Sequence, residues 1–152
     1  MTERPKPERR AAYAFFRAMT TRWMDNDPYN HINNTTYYAF FDTAVCQYLI
    51  EEGAFDIGKS PVIGLVVETM CRYFSSVAFP STIHAGLRVA HLGNSSVRYE
   101  IGLFKDDDDI ASAQGHFVHV YVDRVSGRPV PLPDRLKLVL APLRVPATGG
   151  GC

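Results

Sequence analysis

Asp25, Asp27, His31, Asn33 and Asn34 fall within ten residues, DNDPYNHINN, and an apolar helical pattern starts directly after them. These types at this spacing can do chemistry on a carbonyl. The first turn of a helix carries unpaired N–H groups and a partial positive charge. Such a terminus binds anions and polarises a carbonyl oxygen. A carboxylate beside it can act as base or nucleophile towards the same carbonyl. Three other uses of the segment are open. Asp27-Pro28 can form an Asx turn leading into the helix. Asp25 is expected to hold loop N–H groups. Asp25, Asp27 and His31 could ligate a divalent cation, but the ligand set is thin and no metal is expected.

The elements that must position this loop follow from periodicity. Phe15–Met24 reads as a strand rich in Thr and aromatics. Asp25–Asn34 is a loop by its turn formers. Thr35–Glu52 reads as a helix: Tyr37, Phe40, Phe41, Ala44, Val45 and Tyr48 share one face. Asn33 or Asn34 can cap its start and Gly53 its end. Tyr38, Ala39, Leu49 and Ile50 widen the apolar surface, so the helix should be largely enclosed. Four strands are expected next, at Ile63–Ser75, Thr82–Leu92, Ser96–Lys105 and Ile110–Val122. Val97, Tyr99, Ile101 and Leu103 alternate with Arg98, Glu100 and Gly102. Ile83, Ala85, Leu87 and Val89 alternate with His84, Gly86 and Arg88. Short links (FPS, GNS, DDDD) suggest an antiparallel meander. Arg128–Pro133 is extended, and Asp134–Leu140 is a short helix. The fold class is α+β: one long apolar helix wrapped by an antiparallel sheet. Residues 1–14 are expected to be a mobile arm, 15–141 one domain and 142–152 a flexible tail. An open sheet edge favours pairing with a second copy.

Composition bounds the rest. The chain has 152 residues, 46% hydrophobic and 21% charged, which suits one globular domain. Sixteen basic and sixteen acidic residues balance, and a neutral domain is a poor nucleic-acid binder. No apolar run approaches the ~18 residues of a membrane span. Ala11–Phe16, cut by Arg17, is too short for a signal-peptide core. Cys46, Cys71 and Cys152 contain no CxxC and read as reduced thiols of a cytoplasmic protein. Cys46 and Cys71 are expected to be small buried residues. His116 and His119 look like an H-x-x-H pair, but on a strand they point to opposite faces and cannot share an ion. A sheet-surface role is expected for them and for His84 and His91. Asp106–Asp109 reads as a solvated turn. There is no G-x-S-x-G elbow, P-loop or G-x-G-x-x-G.

The stretch TRWMDNDPYNHINNTTYYAFFDTA resembles the signature of hotdog-fold acyl-CoA thioesterases of the 4-hydroxybenzoyl-CoA thioesterase type: a strand, then D-x-D-x-x-x-H-x-N-N, then a tyrosine-bearing helix. GNSSVRYEIGLF, SAQGHFVHVYVD and GRPVPLP resemble it in order and spacing, over about residues 15–140. The resemblance implies a hotdog fold and hydrolysis of an acyl-CoA to acid and coenzyme A, without cofactor, in a homodimer or homotetramer. It implies Asp27 as nucleophile or base, the Asn34 N–H as the group that polarises the carbonyl, and His31 and Asn33 as loop-shaping or water-positioning residues. Ser96 and Arg128 match positions near the nucleotide part of coenzyme A. Asn94 stands where the family often has a basic residue. Tyr38 and Tyr73 are candidates for the acyl pocket. Two other functions remain open: a hotdog enoyl- or 3-hydroxyacyl-thioester hydratase using Asp27 with His31, and a non-catalytic acyl-thioester binding module. The fold alone does not separate them.

Overall fold

The computed structural model describes residues 4–145. The elements are β1 (Phe15–Thr20), α1 (Thr36–Glu51), β2 (Val62–Tyr73), β3 (Thr82–Leu92), β4 (Ser96–Lys105), β5 (Ala113–Asp123) and α2 (Asp134–Leu140). The strands make one antiparallel sheet in the order β1-β3-β4-β5-β2. It curls around α1, the hotdog arrangement.

Alternation places the core. Ile83, Ala85, Leu87 and Val89 of β3, and Val97, Tyr99, Ile101 and Leu103 of β4, are all buried on the inner face. They join one cluster with Phe41, Val45 and Tyr48 of α1. The helix ends in a Schellman motif: the Gly53 N–H (φ +74°) bonds the Ile50 carbonyl, and the Ala54 N–H bonds that of Leu49. Enclosure is one-sided, because Ala39, Asp42 and Thr43 remain exposed. Gly115 of β5 lets the sheet close on the helix. A Cβ there would meet the Phe41 ring at 2.8 Å and overlap the Met70 carbonyl.

The expected four-strand meander is three strands, β3-β4-β5. β2 pairs with β5 at the far edge and does not touch β3 in the ladder. The link from Phe74 to Ser81 is no hairpin turn; it crosses under the loop before α1. Val77 is buried in it, and its carbonyl accepts the Ile32 N–H at 2.8 Å. The first strand also stops earlier than expected. Trp23–Asp25 forms a 3-10 turn because the Asp25 carboxylate accepts the Arg22 N–H (2.8 Å) and pairs with its guanidinium (3.0 Å).

The described part of the N-terminal arm lies against the sheet's outer face, contrary to the expectation of a mobile segment. The Tyr13 ring sits over Gly86 and Gly102, where a Cβ would approach it to 2.8 and 2.6 Å. Arg88 lies 4.7 Å from that ring's centroid and pairs with Glu8 and Glu100. The chain beyond 141 also packs at first: Leu143 is buried and Arg144 bridges to Val89. Residues 146–152 of the expected tail, including Cys152, lie outside the described residues.

His116 and His119 do face opposite ways, but both are buried, His119 among the inner-face aromatics and His116 between Glu68 and Arg98 on the outer face. His116 Nε2 lies 2.8 Å from Glu68, and its Nδ1 accepts from Arg98 at 3.3 Å. His119 stacks on Phe117 among Tyr99 and Tyr121, and its Nε2 has no hydrogen-bond partner among the described residues. Burial pushes its pKa down to about 4, against a weaker opposing pull from Asp42. Cys46 and Cys71 are half-buried free thiols, and burial pushes each up to about 11.

Candidate active site

The loop between the Trp23–Asp25 turn and α1 is held by its own side chains. Asp27 forms an Asx turn: its Oδ1 accepts the Tyr29 N–H at 2.9 Å and the His31 N–H at 3.3 Å. The Asp27 N–H donates to the His31 carbonyl at 2.8 Å, closing the loop on itself. Asn30, at φ +62°, makes the turn. The Asx turn and the functional reading are thus compatible. One carboxylate oxygen anchors the loop, and Oδ2 has no partner among the described residues. Asp25 is buried and structural; besides its bonds to Arg22, its carbonyl accepts the Asn33 N–H at 2.9 Å.

The helix start is set by Asn33. Its Oδ1 accepts the Thr35 N–H (3.0 Å) and hydroxyl (2.8 Å), and its carbonyl accepts the Thr36 N–H (2.9 Å). Asn33 therefore holds the turn that leads into the helix, whose N-cap position is Thr35. The Asn33 side chain is spent on the turn and does not line the cleft. The Asn34 N–H, by contrast, donates to no acceptor among the described residues. It sits in the turn just before a sixteen-residue helix, at the end where the dipole favours negative charge.

A cleft of about 380 Å³ brings these groups together. It is lined by Asp27, His31, Ile32, Asn34, Tyr37 and Tyr73, with Phe74, Ser75 and Ser76 from the crossing link. A second hollow of about 420 Å³ lies on the other side of Asp27, bounded by Trp23, Met24, Asn26, Pro28 and Asn30. The Tyr37 and Tyr73 rings meet edge to face at 4.9 Å. Burial, and next the Cys71 thiol, push both hydroxyls up, so they stay protonated donors.

Of the expected site residues, Asp27, His31, Asn34 and Tyr73 share this cleft. The His31 ring makes no hydrogen bond among the described residues. Tyr38 does not line the cleft; it packs on Phe41 at 6.0 Å, on the flank of α1. Ser96 and Arg128 do not join it within one chain. Tyr73 is paired with Ala113, whereas Ser96 is paired with Val120. Those positions are seven residues apart on β5, about 23 Å at the rise of a strand. Sequence reasoning missed Tyr37, Ser75 and Ser76 as lining. Tyr37 carries the same periodic signal as the core face, and the two serines carry none. Among the described residues, no three His, Cys, Asp or Glu side chains group as a metal site.

A family model described as the thioesterase-like superfamily matches residues 21–140. The chain belongs to this superfamily. Among solved structures, the PA5185 protein of Pseudomonas aeruginosa strain PAO1 is 56% identical over 95% of this chain and 100% of its own, with a TM-score of 0.91. The PA2801 protein of the same species is 27% identical over 85% of this chain and 99% of its own, with a TM-score of 0.77. The BH1999 gentisyl-coenzyme A thioesterase shares the fold at 20% identity, over 84% of this chain and 100% of its own, with a TM-score of 0.73. No curated protein matches the chain. Family membership supports thioester hydrolysis as the general chemistry of this thioesterase domain. No helix among the described residues is long and apolar enough to cross a membrane.

Proposed function

We propose that this thioesterase domain hydrolyses acyl-CoA thioesters in the Asp27–Asn34 cleft. One observation carries the reading: an Asp27 carboxylate oxygen and the Asn34 N–H, each without a partner among the described residues, line the same cleft. The thioester oxygen accepts from the Asn34 N–H, which takes up the charge that develops on it. Asp27 Oδ2 either attacks the carbonyl carbon, giving an anhydride that water then opens, or removes a proton from the attacking water. Coenzyme A leaves as a thiolate, whose pKa near ~8.5 makes a general acid unnecessary. No metal or cofactor enters this scheme. A coenzyme A thioester as substrate agrees with the name of the gentisyl-coenzyme A thioesterase that shares the fold. The hydratase reading needs an acid/base pair, and among the described residues no hydrogen bond joins the His31 ring to Asp27; His31 bonds to it through its backbone.

The working unit in this reading is a homodimer joined along β2. This edge strand is twelve residues long and presents Leu65, Val66 and Val67, each 46–60% exposed. A long apolar edge needs a cover. Antiparallel pairing about a two-fold axis would set the Tyr73 end of one β2 beside the Val62 end of the other. The Ser96 and Arg128 end of one subunit would then lie near the cleft of its partner, which supports their place near the nucleotide. The free thiols suit a cytoplasmic protein.

The test is thiol release from short, medium, long, branched and aromatic acyl-CoAs, with Asp27→Asn as control. Asn keeps an oxygen for the two loop N–H groups, so the fold should survive. Turnover should fall at least ~100-fold, the scale of a lost general base. Equal release by the variant, or none by the wild type on any substrate, would overturn the proposal.

A further inference from the structure

Tyr73 ends β2, and its hydroxyl reaches across to the junction of loop and helix. It donates to the Asn34 carbonyl oxygen at 2.7 Å. The helix does not use that carbonyl, because the Tyr38 N–H turns to Thr35 instead, at 3.2 Å. The two peptide planes flanking Asn34 are thus held differently. The plane before it is fixed by the Thr36 N–H on the Asn33 carbonyl. The plane after it has its N–H on Asn33 Oδ1 and its carbonyl on Tyr73. The bond from Tyr73 comes from another element; the others are local to the turn. The Tyr73 ring is itself braced edge to face by Tyr37.

We propose that Tyr73 is a positioning residue: with the preceding plane already held by Thr36, its clamp from β2 on the Asn34–Thr35 peptide fixes the backbone torsions of Asn34, so that the two planes keep their relative orientation and the Asn34 N–H stays turned to the substrate carbonyl. Its one hydroxyl proton is committed to the Asn34 oxygen, so it is not a donor to the substrate. This assignment differs from an acyl-pocket role and rests on the thioesterase reading above. A clamped plane also keeps the Asn34 carbonyl dipole fixed, so it cannot swing towards the developing oxyanion. Because the hydroxyl is pushed above its usual range, the clamp persists across the pH range in which the enzyme would be assayed.

Tyr73→Phe deletes the clamp and keeps the ring. Two readouts decide the proposal, both on the full chain. The first is steady-state kinetics with the acyl-CoA that the wild type turns over fastest. Removing an oxyanion donor outright costs about 10²–10³ in kcat; loosening it should cost about tenfold, with KM within twofold. The second is amide exchange at Thr35, followed by NMR, which should accelerate at least tenfold. A rise in KM with unchanged kcat would overturn the proposal and return Tyr73 to the acyl pocket. Unchanged kcat or unchanged Thr35 exchange would overturn it as well. Should the wild type release no thiol, the thioesterase reading falls separately. Exchange then decides the clamp alone: acceleration sustains it and unchanged exchange removes it.

Discussion

Gly115→Ala and Gly102→Ala add the same methyl to one sheet, yet they should differ sharply in cost. At Gly115 the new carbon overlaps the Met70 carbonyl and comes within 3.0 Å of the Cys71 Cα and 2.8 Å of the Phe41 ring. Two of these obstacles are the backbone of β2, so relief requires moving that strand away from β5. The ladder there runs from Val62↔Asp123 to Tyr73↔Ala113, and each bond weakened is worth about 1 kcal/mol net. With overpacking at about 1–3 kcal/mol or more, the total should exceed ~3 kcal/mol. That corresponds to a loss of roughly 6–12 °C in Tm for a chain of this size. At Gly102 the obstacle is the Tyr13 ring, 2.6 Å away, at the end of a chain segment that can lift. The cost is then the ring's burial and its contact with Arg88, about 1–2 kcal/mol. Urea unfolding by circular dichroism, at one fixed protein concentration, measures both. A Gly115→Ala protein within 1 kcal/mol of wild type, or a costlier Gly102→Ala, would refute the reasoning.

His119 is buried neutral, with a pKa of about 4 against 6.5 when unfolded. The unfolded chain therefore binds this proton first as pH falls. Stability from this site is complete above ~6.5 and declines towards pH 4, by about 3 kcal/mol. His119→Phe should flatten that part of the acid limb in urea titrations at stepped pH; an unchanged slope would refute the assignment. Val67→Lys puts a charge on the bulged residue of the β2 edge, close to the axis of the proposed dimer. Sedimentation should show a shift to monomer; a dimer unaffected in mass and affinity would place the interface elsewhere.

Local patterns made much of this protein legible. The 3.6-residue spacing from Tyr37 to Tyr48 marked α1 to within one residue at each end. Strict alternation marked β3 and β4 with their observed bounds, and Asp134–Leu140 was a helix as expected. These signals are local because each element's own backbone geometry sets its period. The acid, the asparagines and the helix start are likewise contiguous in the chain, so the loop of the candidate site is a single local segment.

What is near what was decided by tertiary structure. Alternation says which face a residue takes, not which strand lies beside it. Hence β2 could be read as neighbour to β3 when it pairs with β5. Asn33 and Asn34 are alike in sequence; only the turn geometry commits the first's side chain to the Thr35 N–H and leaves the second's N–H without an acceptor among the described residues. The arm around Tyr13 is charged and proline-rich at its start, yet it docks because Gly86 and Gly102, far along the chain, open a slot for one ring. Ser96 and Arg128 were expected beside the same substrate as Asp27, but strand length carries them to the opposite end of the sheet. The hydroxyl of Tyr73 finds the Asn34 carbonyl, 39 residues away in sequence, because β2 returns past the helix start, and no local period encodes that meeting.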